Sequence, residues 1–430
     1  MIKNRIVINI GILFLLLFFI AGCGANKGAK DKTDIAVWHW MTDRQDAFED
    51  LARKYKDETG ISVKFLVFAP SEVYVQKIWG AAQADLLPEI YSPLGDDRKY
   101  TSFIKAGRIA DLTLAVDDEW KNRLFPKPLE QNIFLPDNEW GIKGGIYGIP
   151  IDVNSMEIFY NKDLFKKAGL DPENPPKTWD EFIEAGKKLR QAGIQPFVSG
   201  FGETWLVGAF AASYEWNIFG KDGILATIRG EIPYTDPRWI RIFSIYKDMR
   251  DAGMLASGIV TMVNKDAERV FATEKAAMAL NGSWGVNVYY QMNPKLNYGV
   301  MLPPYMVDGK YPIKIWGGGG SSFNVNPKSQ NKDKAIQFLR WLTDDKQQIN
   351  LSQKTHNIPS NRRCADILPP ILHDLANNLD KTFPKIPILE NWKVINAKNL
   401  GMQAIIIGEK TPEQVAKEIQ EEKKRRMREE

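Results

Sequence analysis

Thirteen tryptophans make aromatic stacking the first chemistry to consider in this chain of 430 residues. An indole ring offers a flat apolar face and one N–H donor, so it suits a packed core or a ligand with apolar faces and a polar rim. The candidates for ligand contact stand at a predicted strand end or near glycines: Trp38, Trp40, Trp205 and Trp316. Trp38 and Trp40 share one side of the strand, so we expect one of them to be core and Trp40 to be the more exposed.

Residues that would support catalysis or metal binding form no recognisable motif. The three histidines are scattered, without the His-x-x-x-His spacing of a zinc helix. No Gly-x-Ser-x-Gly segment marks a nucleophile elbow, and Cys364 has no base near it in the sequence. An exported hydrolase acting on polysaccharide would need two carboxylates about 5 to 10 Å apart, and acids are too plentiful here to decide. The sequence predicts no catalytic residue, metal or cofactor, and a carbohydrate-active enzyme stays as an alternative.

Four consecutive glycines follow Trp316, at 317–320. A nucleotide-binding loop would need a lysine followed by serine or threonine, and none is present there. Glycine also permits close approach of the backbone to another chain segment or to a ligand. We therefore expect Gly317 and Gly318 at a hinge or beside a ligand, and the glycines alone do not decide between the two.

The N-terminal segment has the features of an export signal. Lys3 and Arg5 precede an apolar run at 6–20, and small residues then lead to Cys23. The exit, IAGC, resembles the lipobox of bacterial lipoproteins, in which the cysteine is acylated and becomes the N-terminus. It implies removal of residues 1–22, a tether at 23–32 and attachment to the bilayer, facing outside the cytoplasm. The alternatives are an uncleaved anchor, for which the run is short, and a purely adhesive surface lipoprotein.

Charge and cysteine content restrict the remaining classes. The formal net charge is +4, near balance, and no basic stripe interleaved with aromatics suggests nucleic acid. If Cys23 carries lipid, Cys364 has no partner for a disulfide, so the core must supply the stability. The charged run at 421–430 is interpreted as a solvated helix end or a frayed tail.

Three segments show the elements that must position these residues. A strand to Trp40 is followed by an apparent capping box, Thr42 with Gln45, and by a helix that Gly60 ends before another strand. This strand–helix–strand order predicts a parallel sheet covered by helices. A second capping box is predicted at Thr178 with Glu181. The apolar faces of the first helix and of a late helix are Phe48, Leu51, Ala52 and Tyr55, and Ala335, Phe338, Leu339 and Leu342.

An ordered set of motifs resembles the extracellular solute-binding proteins of ABC-type sugar importers. They are residues 35–38 (IAVW), 59–63 (TGISV), 87–90 (LPEI), 147–150 (YGIP), 159–162 (FYNK), 177–181 (KTWDE), 278–284 (MALNGSW) and 297–300 (NYGV). The resemblance implies an α/β fold of two lobes joined by hinge strands, of the type II periplasmic-binding class. It implies one lobe from 33–150 and 321–365, and another from 151–320 and 366–430. The ligand would lie between them, at the carboxyl ends of strands.

The same resemblance implies a set of binding residues. Trp284 matches the tryptophan of this family that stacks on sugar, and Asp97 with Arg98 matches an acid–arginine pair that holds hydroxyls. Asp43 with Arg44 matches a similar pair with a shift of one residue. Asn154 stands where a family member has a ligand-binding glutamate, and Asp152, on the same side of the strand, is expected to supply the missing carboxylate. The alternative for Asp43 and Asp97 is a helix cap or a surface ion pair.

The implied function is capture of a sugar, with an oligosaccharide favoured, and its delivery to the membrane subunits of an ABC importer by a monomer. Alternatives with the same fold are receptors for a metal, phosphate, polyamine or peptide. Metal capture would need clusters of histidine, tyrosine and carboxylate that the sequence does not show. The abundance of tryptophan favours sugar over a small anion.

Overall fold

The computed structural model describes residues 33–95, 97–386 and 388–429. The predicted signal, Cys23 and the tether lie outside these residues. The strands are β1 (Ile35–His39), β2 (Val63–Val67), β3 (Ile90–Tyr91), β4 (Ile133–Phe134), β5 (Gly145–Ile146), β6 (Ile149–Pro150), β7 (Asp152–Asn161), β8 (Phe197–Val198), β9 (Met278–Gly282), β10 (Tyr298–Met301), β11 (Gly317–Gly319), β12 (Ser322–Val325) and β13 (Ile358–Pro359).

Helices cover these strands and make up most of the regular structure. They are α1 (Gln45–Thr59), α2 (Ser71–Gln83), α3 (Asp97–Lys105), α4 (Asp118–Arg123), α5 (Pro126–Glu130), α6 (Lys162–Lys167), α7 (Trp179–Gln191), α8 (Thr204–Ile228), α9 (Pro237–Asp251), α10 (Asn264–Ala272), α11 (Gly285–Met292), α12 (Lys332–Leu342), α13 (Asp345–Thr355), α14 (Pro370–Ala376), α15 (Trp392–Ile407) and α16 (Pro412–Glu429). Short 3₁₀ turns lie at Thr42–Arg44, Arg362–Ile367 and Leu379–Lys381.

One sheet has the strand order β2-β1-β3-β12-β6 and forms the N-terminal lobe. β1 is parallel to β2 and β3, as the strand–helix–strand pattern predicts, and β12 returns antiparallel to β3. Burial alternates along β1, where Ile35, Val37 and His39 are buried. Helices α1 and α12 pack on this face, and their predicted apolar residues are all buried.

The other sheet has the strand order β10-β7-β9-β8 and forms the centre of the C-terminal lobe. Its core joins residues of α7, α8 and α9 to residues of the C-terminal helices α15 and α16. The chain therefore returns to this lobe at its end, and both lobes are built from separated segments. The predicted α/β class with two lobes is confirmed.

Strand β7 is shared by the two halves of the molecule. Its first residues pair with β11 and β13, and its later residues pair with β9 and β10. The passages between the lobes that the sequence predicts, at residues 150–151, 320–321 and 365–366, lie at the start of β7, between β11 and β12, and after α13, and they stay predictions. β7 is continuous from Asp152 to Asn161, and such a strand provides a backbone about which the lobes can turn.

Helix ends test the capping predictions directly. Thr178 caps α7 with Glu181 in a complete capping box, and Gly60 ends α1 with a φ of 73°. The capping box predicted at Thr42 is wrong, because α1 begins only at Gln45. The Gln45 side chain is engaged elsewhere, with Oε1 2.8 Å from His39 Nε2 and Nε2 donating to Glu49.

The end of the chain corrects a second expectation. Residues up to 429 continue as α16, and Lys423 and Arg426 within it are 5% and 9% exposed. The solvated helix end predicted from the charge run is therefore wrong for these two residues, since they face the body of the lobe. In the part of the chain that the structure describes, no helix has both the length and the apolarity needed to cross a bilayer.

Candidate ligand-binding site

Three of the predicted tryptophans come together at the C-terminal lobe. The ring centroids of Trp205, Trp284 and Trp316 lie 6.0 to 6.3 Å apart in each pairing. Trp205 and Trp316 are 37% and 41% exposed, and Trp284 is half-buried. The planes of Trp284 and Trp316 are nearly perpendicular, at 83°. We call these three residues the indole corner, because their rings lie close together in three different planes.

The indole corner stands where β7 passes from one lobe to the other. The Ser283 N–H donates to the Ser155 carbonyl (2.9 Å), and the Met156 N–H donates to the Trp316 carbonyl (2.8 Å). Trp284 and Trp316 are therefore attached on either side of the same point of β7. Trp205 joins them from the first turn of α8. This position places the exposed ring faces beside the passage between the lobes.

Glu203 holds the third ring in place. Its Oε2 accepts a hydrogen bond from Trp205 Nε1 (3.0 Å), and its Oε1 accepts one from the Asn264 N–H at the start of α10 (2.7 Å). Both carboxylate oxygens are thus engaged, one on the indole and one on the backbone. The ring of Trp205 is fixed although it is partly exposed.

A buried polar layer supports the corner from behind. Glu268 Oε1 accepts hydrogen bonds from Asn264 Nδ2 (2.9 Å) and Asn281 Nδ2 (3.2 Å), and Asn281 Nδ2 also donates to the Tyr289 hydroxyl (2.9 Å). Lys265 Nζ lies 2.9 Å from the second oxygen of Glu268. Since the layer ties α10 to β9 and α11, it fixes the segment that leads into Trp284.

The N-terminal lobe carries the other predicted aromatic residues. Trp40 is half-buried, with its ring centroid 5.1 Å from that of the buried Tyr74. Trp38 points to the same side and packs against Phe68 at 5.0 Å. Both rings therefore have core partners, and Trp40 shows no ring contact with the indole corner among the described residues. Its role as a ligand contact stays a prediction.

Three of the predicted charged residues, Asp43, Arg44 and Asp152, contact one another. Arg44 forms an ion pair with Asp152 at the start of β7, and Arg44 Nη2 donates to Asn357 Oδ1 (3.0 Å). Arg44 Nε lies 3.6 Å from Asp43 Oδ2. Arg44 and Asp152 are 5% and 2% exposed, so this cluster belongs to the buried hinge. Direct ligand contact by these three residues stays a prediction, and the pairing assigns them a structural role in any case.

The second predicted pair stands at the start of α3. Arg98 Nη1 donates to the carbonyl of Glu390, a residue of the C-terminal lobe, at 2.5 Å. Asp97 is the neighbouring residue and is half-buried. Arg98, which the family resemblance assigns to ligand hydroxyls, thus joins α3 to the segment before α15.

Asn154 and the glycines lie together along β7. In β11, Gly317 and Gly318 pair with Ser155 and Asn154 of β7. Gln131 also contacts β11, because its Nε2 donates to the Gly317 carbonyl (3.0 Å). Gly318 has a φ of 123°, which L side chains rarely adopt, and a Cβ there would lie 2.2 Å from the Gln131 side chain, so this position favours glycine. Asn154 Oδ1 is buried without a hydrogen-bond partner among the described residues.

One aromatic residue near the passage was not predicted from the sequence. Trp392 is 61% exposed and follows Glu390, whose carbonyl receives the Arg98 hydrogen bond, by two positions. Trp392 is the first residue of α15, and nothing in the sequence around it indicated that it would lie near the Arg98 contact. Within residues 33–95, 97–386 and 388–429, no three His, Cys, Asp or Glu side chains are grouped to hold a metal ion.

Comparisons with known proteins agree with this architecture. Residues 39–349 match the family described as bacterial extracellular solute-binding protein. The chain is 31% identical over 223 residues to an sn-glycerol-3-phosphate-binding periplasmic protein of Brucella melitensis, covering 50% of this chain and 49% of the relative. It is 23% identical over 346 residues to a multiple sugar-binding protein of Streptococcus mutans, covering 78% and 77%.

The fold has solved counterparts. A chitin oligosaccharide binding protein superposes with a TM-score of 0.77 at 21% identity, covering 91% of this chain and 98% of the other. The family match spans more than half of the chain and includes the indole corner and the strands of both sheets, except β13 and all of β1 but its last residue. The chain belongs to the bacterial extracellular solute-binding protein family, whose members act as receptors outside the cytoplasm.

Proposed function

We propose that this receptor captures a sugar, with an oligosaccharide favoured, between its two lobes. The observation that carries the proposal is the indole corner. Pyranose rings have apolar C–H faces that stack on indoles and hydroxyl rims that need polar partners. The rings of Trp284 and Trp316 are nearly perpendicular, and the Trp205 ring is tilted by 49° and 50° to them. Such an arrangement suits a ligand that presents more than one apolar face.

The charges near the passage argue against a phosphate ester, the ligand named for the Brucella relative. A bound phosphate needs cations whose donors point at it. Here Arg44 is paired with Asp152 and Asp43, and Arg98 donates to the Glu390 carbonyl. Both are already engaged by protein groups, whereas two rings of the indole corner present exposed faces. A sugar therefore fits the site better than sn-glycerol-3-phosphate.

The same proposal covers delivery and anchoring. A monomeric receptor, tethered to the bilayer by acylated Cys23, would hand its sugar to the membrane subunits of an ABC importer. Release requires moderate affinity, and a dissociation constant near 1 μM, about −8 kcal/mol, would permit it. Two or more acyl chains make such attachment stable.

Isothermal titration calorimetry with a panel of mono- and oligosaccharides and sn-glycerol-3-phosphate tests the ligand. Trp284→Ala should weaken binding of the best sugar at least tenfold, about 1.4 kcal/mol. The matched control is Trp341→Phe, because Trp341 packs on Tyr55 and Phe338 of the N-terminal lobe, away from the corner. The sugar proposal would be overturned if the protein bound sn-glycerol-3-phosphate and no sugar, or if Trp284→Ala bound the best sugar as tightly as the parent does.

Two further measurements complete the test. Incubation with the bound oligosaccharide should release no new reducing ends, since a receptor leaves its ligand intact; release would favour the hydrolase alternative. Cys23→Ser should free the protein from the membrane fraction and remove an acyl mass from its N-terminal peptide. An unchanged membrane fraction would exclude Cys23 as the anchor.

A further inference from the structure

Two cations reach across the passage in opposite directions. Arg98, in α3 of the N-terminal lobe, donates to the Glu390 carbonyl (2.5 Å) on the C-terminal side. Lys385, from the segment before Glu390, donates to the Gln131 carbonyl (3.4 Å) in the N-terminal lobe. The two contacts are reciprocal, because each lobe supplies one cation and one backbone carbonyl.

The Glu390 end of this arrangement is rigidly held. Its carboxylate accepts hydrogen bonds from Lys423 Nζ (2.9 Å to each oxygen), the Tyr234 hydroxyl (3.1 Å) and the Asn391 N–H (2.7 Å). Glu390 and Lys423 are 8% and 5% exposed, and Lys423 also donates to the Ile228 carbonyl. A buried ion pair with its oxygens satisfied is costly to break. Helix α16 therefore fixes the position of the carbonyl that Arg98 reaches.

The Lys385 end has a second partner on the opposite lobe. Its ammonium lies 3.5 Å from the centroid of the Phe134 ring, close enough for a cation–π contact. On its own side, the segment is attached through the Phe383 N–H, which donates to the Ile315 carbonyl (3.0 Å), next to Trp316 of the indole corner. Lys385 thus connects the wall of the candidate site to the N-terminal lobe.

We infer that Arg98 and Lys385 form a latch that holds the two lobes closed across the cleft, with Lys423 as its positioning residue. The hydrogen bond that each cation makes across the passage ends on a neutral backbone carbonyl. When the lobes separate, both cations reach water, and the Asp97 carboxylate that also attracts Lys385 is only half-buried at the start of α3, so it can be hydrated as well. The Arg44–Asp152 pair differs, since separating it would leave a carboxylate buried. The latch contacts can therefore break and re-form while the hinge cluster stays intact.

Energy transfer between fluorophores tests the latch without any sugar. The labels go to Leu86→Cys and Val307→Cys, one exposed position on each lobe (70% and 71%), in a Cys23→Ser background where Cys364 is buried. Arg98→Gln and Lys385→Gln should each lower the closed-to-open ratio at least fivefold. Lys423→Met should lower it without removing either contacting cation.

The control is Lys187→Gln, which removes a cation paired with Glu184 on the surface of α7, far in sequence from either contact. It should leave the ratio unchanged. If Arg98→Gln fails to fold, the closed-to-open ratio of Lys385→Gln alone tests the latch. Ratios within twofold of the parent for both Arg98→Gln and Lys385→Gln would overturn the latch. Because no sugar is present, this outcome is independent of whether the proposed ligand is correct.

Discussion

Gly282 lies directly beneath the indole of Trp284. A Cβ built on Gly282 would stand 2.1 to 2.3 Å from three carbons of the six-membered ring, a separation that van der Waals contact forbids. The ring therefore rests on the bare backbone of β9. Position 282 therefore sets how deeply the Trp284 indole can sit.

The substitution Gly282→Ala should push the Trp284 ring out of the indole corner. We expect sugar affinity, measured by calorimetry, to fall at least tenfold, about 1.4 kcal/mol, with a changed tryptophan emission spectrum. Gly80→Ala is the matched control, since nothing lies within 4 Å of a Cβ there and alanine favours the helix. Unaltered affinity and emission in Gly282→Ala would show that the ring does not depend on this contact.

Removing Arg44 should destabilise the whole protein. Arg44→Met leaves the Asp152 carboxylate buried without its cation, which costs about 3 to 5 kcal/mol. Urea unfolding at pH 7 measures the loss, and Arg44→Met with Asp152→Asn should recover much of it because the buried Asp152 charge is removed together with its cation. Lys247→Met removes the exposed pair with Asp251 and should cost below about 1 kcal/mol. A loss that small in Arg44→Met would contradict the buried hinge cluster.

His39 predicts a loss of stability in mild acid. Burial, above all, lowers its pKa from 6.5 to about 4. The neutral ring fits the short contact with Gln45 Oε1 (2.8 Å) and the Met41 N–H that Nδ1 accepts (3.3 Å). Between pH 6.5 and 4 the His39 ring is protonated in the unfolded chain but stays neutral in the folded chain. The free energy of unfolding should therefore fall by up to about 3 kcal/mol across this interval.

The His39 contribution is isolated by a difference between variants. His39→Gln should flatten the decline of the unfolding free energy from pH 6.5 to 4.5, whereas His373→Gln, at an exposed position, should reproduce the parent slope. Equal slopes in the parent and His39→Gln would rule out a buried neutral histidine.

Glu157 predicts a pH effect of opposite sign. Burial raises the pKa of this β7 carboxyl from 4.5 to about 7, although Asn378 Nδ2 (2.8 Å) and Ser155 Oγ (3.1 Å) donate to it. From pH 4.5 to 7 the folded chain holds a proton that the unfolded chain loses, so this group's contribution to stability falls as pH rises. Glu157→Gln should remove that slope and make the protein more stable than the parent at pH 8. Urea unfolding at pH 5 and 8 measures this, and a less stable variant at pH 8 would contradict it.

Local patterns predicted the elements well. The helical spacing of Phe48 and Leu51 predicted that both are buried. The capping-box pattern of Thr178 and Glu181 predicted the start of α7. The Thr42 box failed because Gln45 faces His39 and Glu49 instead of the helix start. A cap depends on where a side chain points, which spacing alone does not determine.

The site was predictable residue by residue but not as an assembly. Trp205, Trp284 and Trp316 were each recognisable as candidates, yet their distances depend on how three separated segments attach to one another. The partners of Arg44 and Arg98 were not predicted, because Asp152 and Glu390 are distant in sequence. Contacts between residues far apart in sequence leave no periodic signal in the chain.

The placement of β12 within the first sheet affects how the protein is made. Residues 322–325 insert between β3 and β6, so the lobe that begins the chain lacks an interior strand until about three quarters of the polypeptide has emerged. Such late, non-local pairing delays folding during synthesis. A nascent chain that stays unfolded for that long can be threaded through a translocation channel before its lobes form.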